Sequence, residues 1–327
     1  MSFSRRFALT ALLAVPALSL AACGDGGSGA ATAAAEDGPI RIVTATSVYG
    51  DIAAAVGGDD VEVTAMVTSL SQDPHSYEAT VQDKLSVSEA DLVIENGGGY
   101  DTFLGRLAEE TGVGTVLSAV ELSGLEEAAE EHTDDAQQSD EGEHAADGGH
   151  GHGAFNEHVW YSLPAMVTLA DSIAEELGRL DESNADAYRE RAGAFAQQLQ
   201  PLQDRLADLS SNGTGGEFAV TEPVPVYLLE AAGLKNVTPE EFSEAIEEET
   251  DVPVAVFDEM KTLVSGGTLS FLAYNDQTEG AQTEAVRSAA DDAGLPVLDF
   301  TETLPDGEDY VSWMTANTDS IEAVLGS

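Results

Sequence analysis

The chain has 327 residues, with 61 acidic side chains against 12 basic ones and a formal net charge of -49. A surface this negative repels phosphate backbones and anionic headgroups, which argues against nucleic-acid binding and against a polybasic membrane patch, and makes a cation the expected partner. A hydrophobic content of 43% supports an ordinary core, the length suits two lobes, and the single cysteine cannot form an internal disulfide. No apolar run reaches the roughly 18 to 20 residues that a membrane-spanning helix needs.

At the N-terminus, Arg5 and Arg6 precede an apolar stretch over residues 7–22 that ends in Leu20-Ala21-Ala22-Cys23. A basic start, a short apolar run and small residues before a cut make residues 1–22 a secretory signal peptide. Its ending resembles the bacterial lipoprotein signal, which implies that Cys23 is lipidated and holds an extracytoplasmic protein at the cell membrane. Residues 23–39, rich in Gly, Ala, Ser and Thr and without an apolar period, read as a flexible tether with a reach of roughly 20 to 24 Å.

From residue 40 onward short β-rich runs alternate with helical patterns, the rhythm of an α/β fold. Strands are expected over residues 40–44, 61–67, 91–95, 218–221, 254–257, 269–274 and 296–298. Val43-Thr44-Ala45-Thr46 leads into one helical pattern and Val220-Thr221-Glu222-Pro223 into another, an internal echo that predicts two similar lobes with parallel-rich sheets. The lobes are placed at residues 40–162 and 212–327, with connecting helices over 163–211. In the first helix Leu163, Met166, Leu169, Ala170, Ile173 and Leu177 share a face, with Ser162 as cap and Pro164 in the first turn. In the second, Tyr188, Ala192, Phe195, Leu199, Leu202, Leu206 and Leu209 step by four and three, which suits a long helix packed along both lobes, and Pro201 is expected to kink it.

One stretch breaks the pattern. Residues 126–153 combine Glu, Asp, Gln, Gly and His with almost no large apolar side chains, so they cannot build a core and are expected to form a mobile loop. The loop contains His132, His144, His150 and His152, and His158 follows just beyond it.

Signatures of catalysis are missing from the chain: there is no nucleophile elbow, phosphate-binding loop, dinucleotide fingerprint or thiol pair. With 61 acids, chance carboxylate pairs carry no information, whereas six histidines are scarce enough to be informative. His75 sits in Asp73-Pro74-His75-Ser76-Tyr77-Glu78, and His158 sits in Glu157-His158-Val159-Trp160 ahead of a capped helix. In open α/β sheets ligands collect beyond the carboxyl ends of strands, which draws attention to the loop bearing Glu222.

Asp-Pro-His-x-Tyr-Glu, then a His-rich acidic loop, then His-Val-Trp, resembles the bacterial zinc/manganese ABC-transporter solute-binding proteins. Thr221-Glu222-Pro223 and Phe300-Thr301-Glu302-Thr303-Leu304-Pro305, with Tyr310 and Trp313 after it, agree with that family, and the resemblance runs from about residue 40 to the end. It implies two α/β lobes joined by a long, stiff helix, with one divalent metal held in the cleft between them and handed to a membrane permease. His75 and His158 match the family's two constant histidine ligands, and Glu222 falls where members have histidine or glutamate. Glu302 falls where many have aspartate, with Asp276 and Asp299 as nearby alternatives.

Two neutral imidazoles and two carboxylates give a site charge of minus two, which a divalent ion cancels. Imidazole suits zinc, and carboxylates widen the choice toward manganese. The His-rich loop points to zinc (Zn2+), as an accessory collector built from His132, His144, His150 and His152, while Glu222 in place of a third histidine points to manganese (Mn2+). The expected protein is a monomeric, non-enzymatic metal carrier for an ABC importer, bound to the membrane through Cys23. A surface adhesin of the same fold and a zinc hydrolase using two histidines and a carboxylate are the competing readings.

Overall fold

The computed structural model describes residues 38–126, 155–213 and 215–326. The expected signal peptide, Cys23, the tether up to residue 37 and the four loop histidines lie outside the described residues. No helix among the described residues is long and apolar enough to cross a membrane.

Two four-stranded sheets organise the described chain. The first contains β1 (Ile40–Thr46), β2 (Val61–Val67), β3 (Leu92–Glu95) and β4 (Val116–Ser118) in the order β2-β1-β3-β4. Every pairing is parallel, with Ile42 of β1 opposite Val63 on one side and Leu92 on the other. The second contains β5 (Glu217–Val220), β6 (Lys235–Asn236), β7 (Leu269–Asn275) and β8 (Val297–Phe300), again all parallel and in the matching order β6-β5-β7-β8. Parallel strands are covered on both faces by their crossover helices, so the central ones read as almost unbroken apolar runs. Residues 42–46 of β1 are buried accordingly, as are residues 271–275 of β7.

The helices around the first sheet are α1 (Ser47–Gly57), α2 (Val81–Ser88), α3 (Thr102–Thr111) and α4 (Ala119–Ser123). A short turn, Val159–Tyr161, leads into α5 (Leu163–Leu180) and α6 (Ala185–Ser211). Around the second sheet lie α7 (Val226–Ala231), α8 (Glu240–Glu247), α9 (Val254–Ser265), α10 (Ala281–Ala293) and α11 (Tyr310–Leu325). The Ser162 hydroxyl accepts the backbone N–H of Ala165 and Pro164 stands in the first turn of α5, where its missing N–H costs nothing.

Helix α6 is the brace. Its buried face, Tyr188, Ala192, Phe195, Leu199, Leu202 and Leu206, belongs to a single apolar cluster that reaches Ile42 and Tyr49 in the first lobe and Phe218 and Phe271 in the second. Arg191 donates to the carbonyls of Val56 and Gly57 at 2.7 and 2.8 Å and pairs with Asp60 at 2.9 Å, tying α6 to the end of α1. Four turns later Arg205 pairs with Glu322 of α11 at 2.7 Å. The helix runs continuously through Pro201, which is exposed, as is Gln197, whose carbonyl loses its partner to the proline ring and is open to water.

The strand expected over residues 254–257 is instead the first turn of α9. Pro253 supplies an extended residue ahead of it, and the apolar positions continue at Met260 and Val264, a helical spacing, while Val254 itself is 77% exposed. Strands β4 and β6, of three and two residues, are absent from the sequence expectation because so short a run carries no alternation.

Candidate metal centre

All strands of both sheets run the same way within their sheet, so the loops at their carboxyl ends gather in one crevice per lobe, and bonds from Tyr100 to Glu302 and from Gln277 to Gln72 join the two sets of loops. From the first lobe comes the loop after β2. Asp73 Oδ1 accepts the backbone N–H of His75 at 2.8 Å, fixing the turn that aims the imidazole. The far end of the loop is held by a reciprocal cap: the Asp83 N–H donates to Thr80 Oγ1 and the Thr80 N–H donates to Asp83 Oδ2, while the Tyr77 hydroxyl donates to the same carboxylate. A cap of this kind contributes about 1 kcal/mol.

His158 is completely buried. Its orientation follows from Asn156, whose Nδ2 donates to the Pro223 carbonyl at 2.9 Å and whose Oδ1 accepts the His158 backbone N–H at 3.1 Å. With the amide so placed, Oδ1 faces His158 Nδ1 at 2.7 Å as an acceptor. The ring proton therefore sits on Nδ1 and the lone pair of Nε2 points into the cleft, the tautomer that a metal ligand requires.

The second lobe contributes carboxylates. Glu222, 1% exposed, follows β5, and Glu302, 0% exposed, follows β8. Asn275, the last residue of β7, stands between them: its Nδ2 donates to Glu222 Oε2 and, at 2.8 Å, to Glu302 Oε1. Thr278 adds a hydroxyl to Glu222 Oε2. Gln277 Oε1 accepts the backbone N–H groups of Glu302 and Thr303 at 2.7 and 2.9 Å, which sets the course of the loop, and Gln277 Nε2 reaches the Gln72 carbonyl across the cleft.

His75, His158 and Glu222 each offer a donor atom, all within 4.8 Å of one another. Glu302 Oε2 lies 3.9 Å from His75 Nε2. Three atoms of this group, His75 Nε2, His158 Nε2 and Glu222 Oε1, are buried with no hydrogen-bond partner. Leaving buried polar atoms unpaired costs about 1 to 3 kcal/mol each, so three converging on one point mark a place shaped for a ligand. The electrostatics agree: burial lowers the affinity of both imidazoles for protons and pushes Glu222 up to about 7, while burial and the Glu222 charge raise Glu302. Each group is driven toward its neutral form, and only a cation reverses that pressure on the carboxylates.

Asp276 and Asp299, the alternatives to Glu302, are not brought to this point. Both lie on Arg287, at 3.5 and 2.6 Å, with side chains 50% and 43% exposed. Trp160 and Trp313 are buried core, and Tyr77 packs on Phe103. The residues that the sequence reading overlooked are the supports, Asn156, Asn275, Gln277 and Thr278, together with Tyr100 on the cleft wall. A second grouping, Glu157 and Glu247 beside His75, also places donor atoms within 4.8 Å, and burial and the Glu157 charge push Glu247 up to about 9.

Supports of this kind carry a measurable share of metal affinity. Asn275→Ala is expected to lower affinity for zinc by about 10- to 100-fold in a chelator competition, because both carboxylates lose the donor that spaces them. Asp299→Asn, at the surface pair with Arg287, is expected to leave affinity unchanged. Equal effects from the two substitutions would contradict this placement of the site.

The profile of the family described as zinc-uptake complex component A, periplasmic, matches residues 42–324. The manganese-binding lipoprotein MntA of Halalkalibacterium halodurans is 28% identical over 96% of this chain and 97% of its own length. The metal ABC transporter substrate-binding lipoprotein FimA of Streptococcus parasanguinis is 26% identical over 92% of this chain and 93% of its own. Among solved structures, the periplasmic zinc-binding protein TroA of Treponema pallidum superposes with a TM-score of 0.68 at 20% identity, over 88% of this chain and 99% of that one, and so shares the fold. The profile match over most of the chain, the two parallel sheets and the convergent imidazoles and carboxylates agree: the chain belongs to the zinc-uptake component A family, the extracytoplasmic substrate-binding lipoproteins of metal ABC transporters.

Proposed function

We propose that the chain captures one divalent first-row transition ion, zinc by preference, on His75, His158, Glu222 and Glu302, and delivers it to the membrane permease of an ABC importer without chemical change. The observation that carries this reading is the convergence of three buried, unpartnered donor atoms, His75 Nε2, His158 Nε2 and Glu222 Oε1. A divalent ion satisfies all three and cancels the two carboxylate charges, so the closed cleft buries no net charge. Lipidated Cys23 tethers the monomer to the membrane, and His132, His144, His150 and His152 act as a weaker collector of ions.

Manganese is the second reading. Glu222 supplies oxygen where a third imidazole would favour zinc, and MntA of H. halodurans is named for manganese. The affinity order places zinc above manganese at nearly any nitrogen and oxygen site, so binding in vitro does not by itself identify the cargo. The deciding experiment is metal analysis of protein isolated from its native envelope, with growth rescue of an importer-deficient strain by each metal. One tight equivalent of zinc is expected, plus weaker equivalents that vanish on deletion of residues 126–153. Full tight binding after His75→Ala and His158→Ala together overturns the proposal.

A further inference from the structure

Tyr100 belongs to no motif that the sequence reading used, yet it is the residue that touches most of the candidate ligands. It follows β3 in Asn96-Gly97-Gly98-Gly99-Tyr100-Asp101, and the three glycines have φ of 80°, 65° and 102°, the left-handed region that side chains avoid. A Cβ on Gly97 would lie 2.3 Å from Ser118 Oγ, so any other residue there would also displace the hydroxyl that caps α4. The turn is closed by Asp101, whose carboxylate accepts the N–H groups of Asn96 and Gly97 at 2.6 and 2.9 Å. The result is a rigid hook that delivers a bulky side chain, 1% exposed, into the cleft.

There the ring lies edge-on to His75 at 4.6 Å and 5.8 Å from the His158 ring, with Trp160 behind it at 4.7 Å. The hydroxyl crosses from the first lobe to the second and donates to Glu302 Oε2 at 2.8 Å. The four carboxylate oxygens are therefore unequal. Glu222 Oε2 takes Asn275 and Thr278, Glu302 Oε1 takes Asn275, Glu302 Oε2 takes Tyr100, and only Glu222 Oε1 is without a partner. An ion at the convergence point meets two imidazole nitrogens, one open oxygen of Glu222, and Glu302 Oε2, which lies 3.9 Å from His75 Nε2 and keeps a second lone pair beside the one that takes Tyr100, while Oε1 is held by Asn275.

Building on the metal-carrier reading above, we infer that Tyr100 is a specificity-determining positioning residue: with Asn275 on Oε1, its hydroxyl on Oε2 fixes the rotation of the Glu302 carboxylate so that one oxygen faces the ion, limiting the ion to four protein donors. Four donors in a tetrahedron are what zinc takes, whereas manganese is suited by a larger, oxygen-rich, six-coordinate shell. Asn275 and Thr278 impose the same restriction on Glu222 from within the second lobe. Tyr100 imposes it from the opposite lobe, so the coordination limit is set only when the cleft is closed.

The test is Tyr100→Phe, which keeps the ring and its packing on His75 and removes only the oxygen. Zinc and manganese dissociation constants are measured by chelator competition on wild type and variant, with the visible spectrum of the cobalt(II)-loaded forms as a direct report of coordination number. The wild type is expected to give the intense bands of four-coordinate cobalt(II), and the variant the weak bands of five or six ligands, with the zinc-over-manganese preference falling by about tenfold or more. A purely structural role would lower both affinities together and leave the spectrum as it was. An unchanged preference and spectrum in a variant that binds metal overturns the role of Tyr100 alone, as does a wild-type spectrum of high coordination number. A wild type that binds neither zinc nor manganese overturns the carrier reading, and this inference with it.

Discussion

Alanine in place of His158 is expected to lower zinc affinity by more than about 100-fold, the upper end of what loss of an outer partner costs, because the substitution removes a proposed ligand itself. His158 is fully buried and its tautomer is set by Asn156, and among the described residues only His75 brings another imidazole nitrogen to this point. The same substitution removes the metal's effect on stability. An ion present at a thousand times its dissociation constant stabilises the folded state by about 4 kcal/mol, and a 100-fold weaker site under the same conditions forfeits most of that. Scanning calorimetry with zinc and with excess chelator checks both claims on one sample. His75→Ala, at a ring 17% exposed, is the companion that perturbs the core less and is expected to give the same loss. Wild-type affinity and an undiminished zinc-dependent rise in melting temperature in either variant would remove that histidine from the ligand set.

The metal-free protein is expected to lose stability as pH rises from about 6.5 to 9, the reverse of what the zinc-loaded protein does. Glu222 and Glu95 are pushed up to about 7 and Glu247 to about 9, burial being the largest cause for each. A carboxyl with a raised folded-state pKa binds its proton more tightly in the native than in the unfolded chain. Its contribution is fully present below the unfolded value near 4.3 and is lost as pH passes the folded value. His75 and His158, lowered by burial, act in the opposite sense, but only below about 6.5, where the unfolded chain begins to take up protons. Above that pH the carboxylates act unopposed by histidine, and mutual repulsion within a chain of net charge -49 adds to them. Zinc inverts the trend, since the ion must compete with protons for Glu222 and Glu302 and binds more tightly as they ionise. Melting temperatures at several pH values, with zinc and with chelator, should therefore diverge as pH rises. A metal-free melting temperature that climbs steadily across this window would show that the cleft carboxylates are not held neutral.

How much of this could be read from the chain depends on how each feature is encoded. His75 and His158 are scarce residues in recognisable settings, and Glu222 and Glu302 stand just beyond strands whose apolar runs are plain in the sequence. The paired sheets were foreshadowed by the echo between Val43-Thr44-Ala45-Thr46 and Val220-Thr221-Glu222-Pro223, and the common strand order of the two sheets accounts for it. Nothing local singles out Asn275, because an asparagine at the end of an apolar strand looks like the start of a turn. Its role exists only because β7 lies between β5 and β8, bringing Glu222 and Glu302 to either side of it. Tyr100 offers one local signal, three consecutive glycines one residue beyond a strand, which marks a backbone that must take conformations closed to other residues. The segment at residues 254–257 misled for the opposite reason: four apolar residues after a proline suit a strand and a helix equally, and the choice fell to the packing of Met260 and Val264 one and two turns on.

The sequence by itself determined the α/β alternation, the long brace helix, the acidic surface and the residue types able to hold a divalent ion, because each rests on periodicity, composition or the rarity of histidine. Only the tertiary structure decided which carboxylates face the cleft and which serve the surface. Asp276, Asp299 and Glu302 lie within 27 positions of one another in the chain, yet Arg287 takes the first two and the cleft takes the third. A carboxylate's role is set by what surrounds it in space, and here those surroundings come from strand order, from Asn275 between two loops and from Tyr100 reaching over from the other lobe.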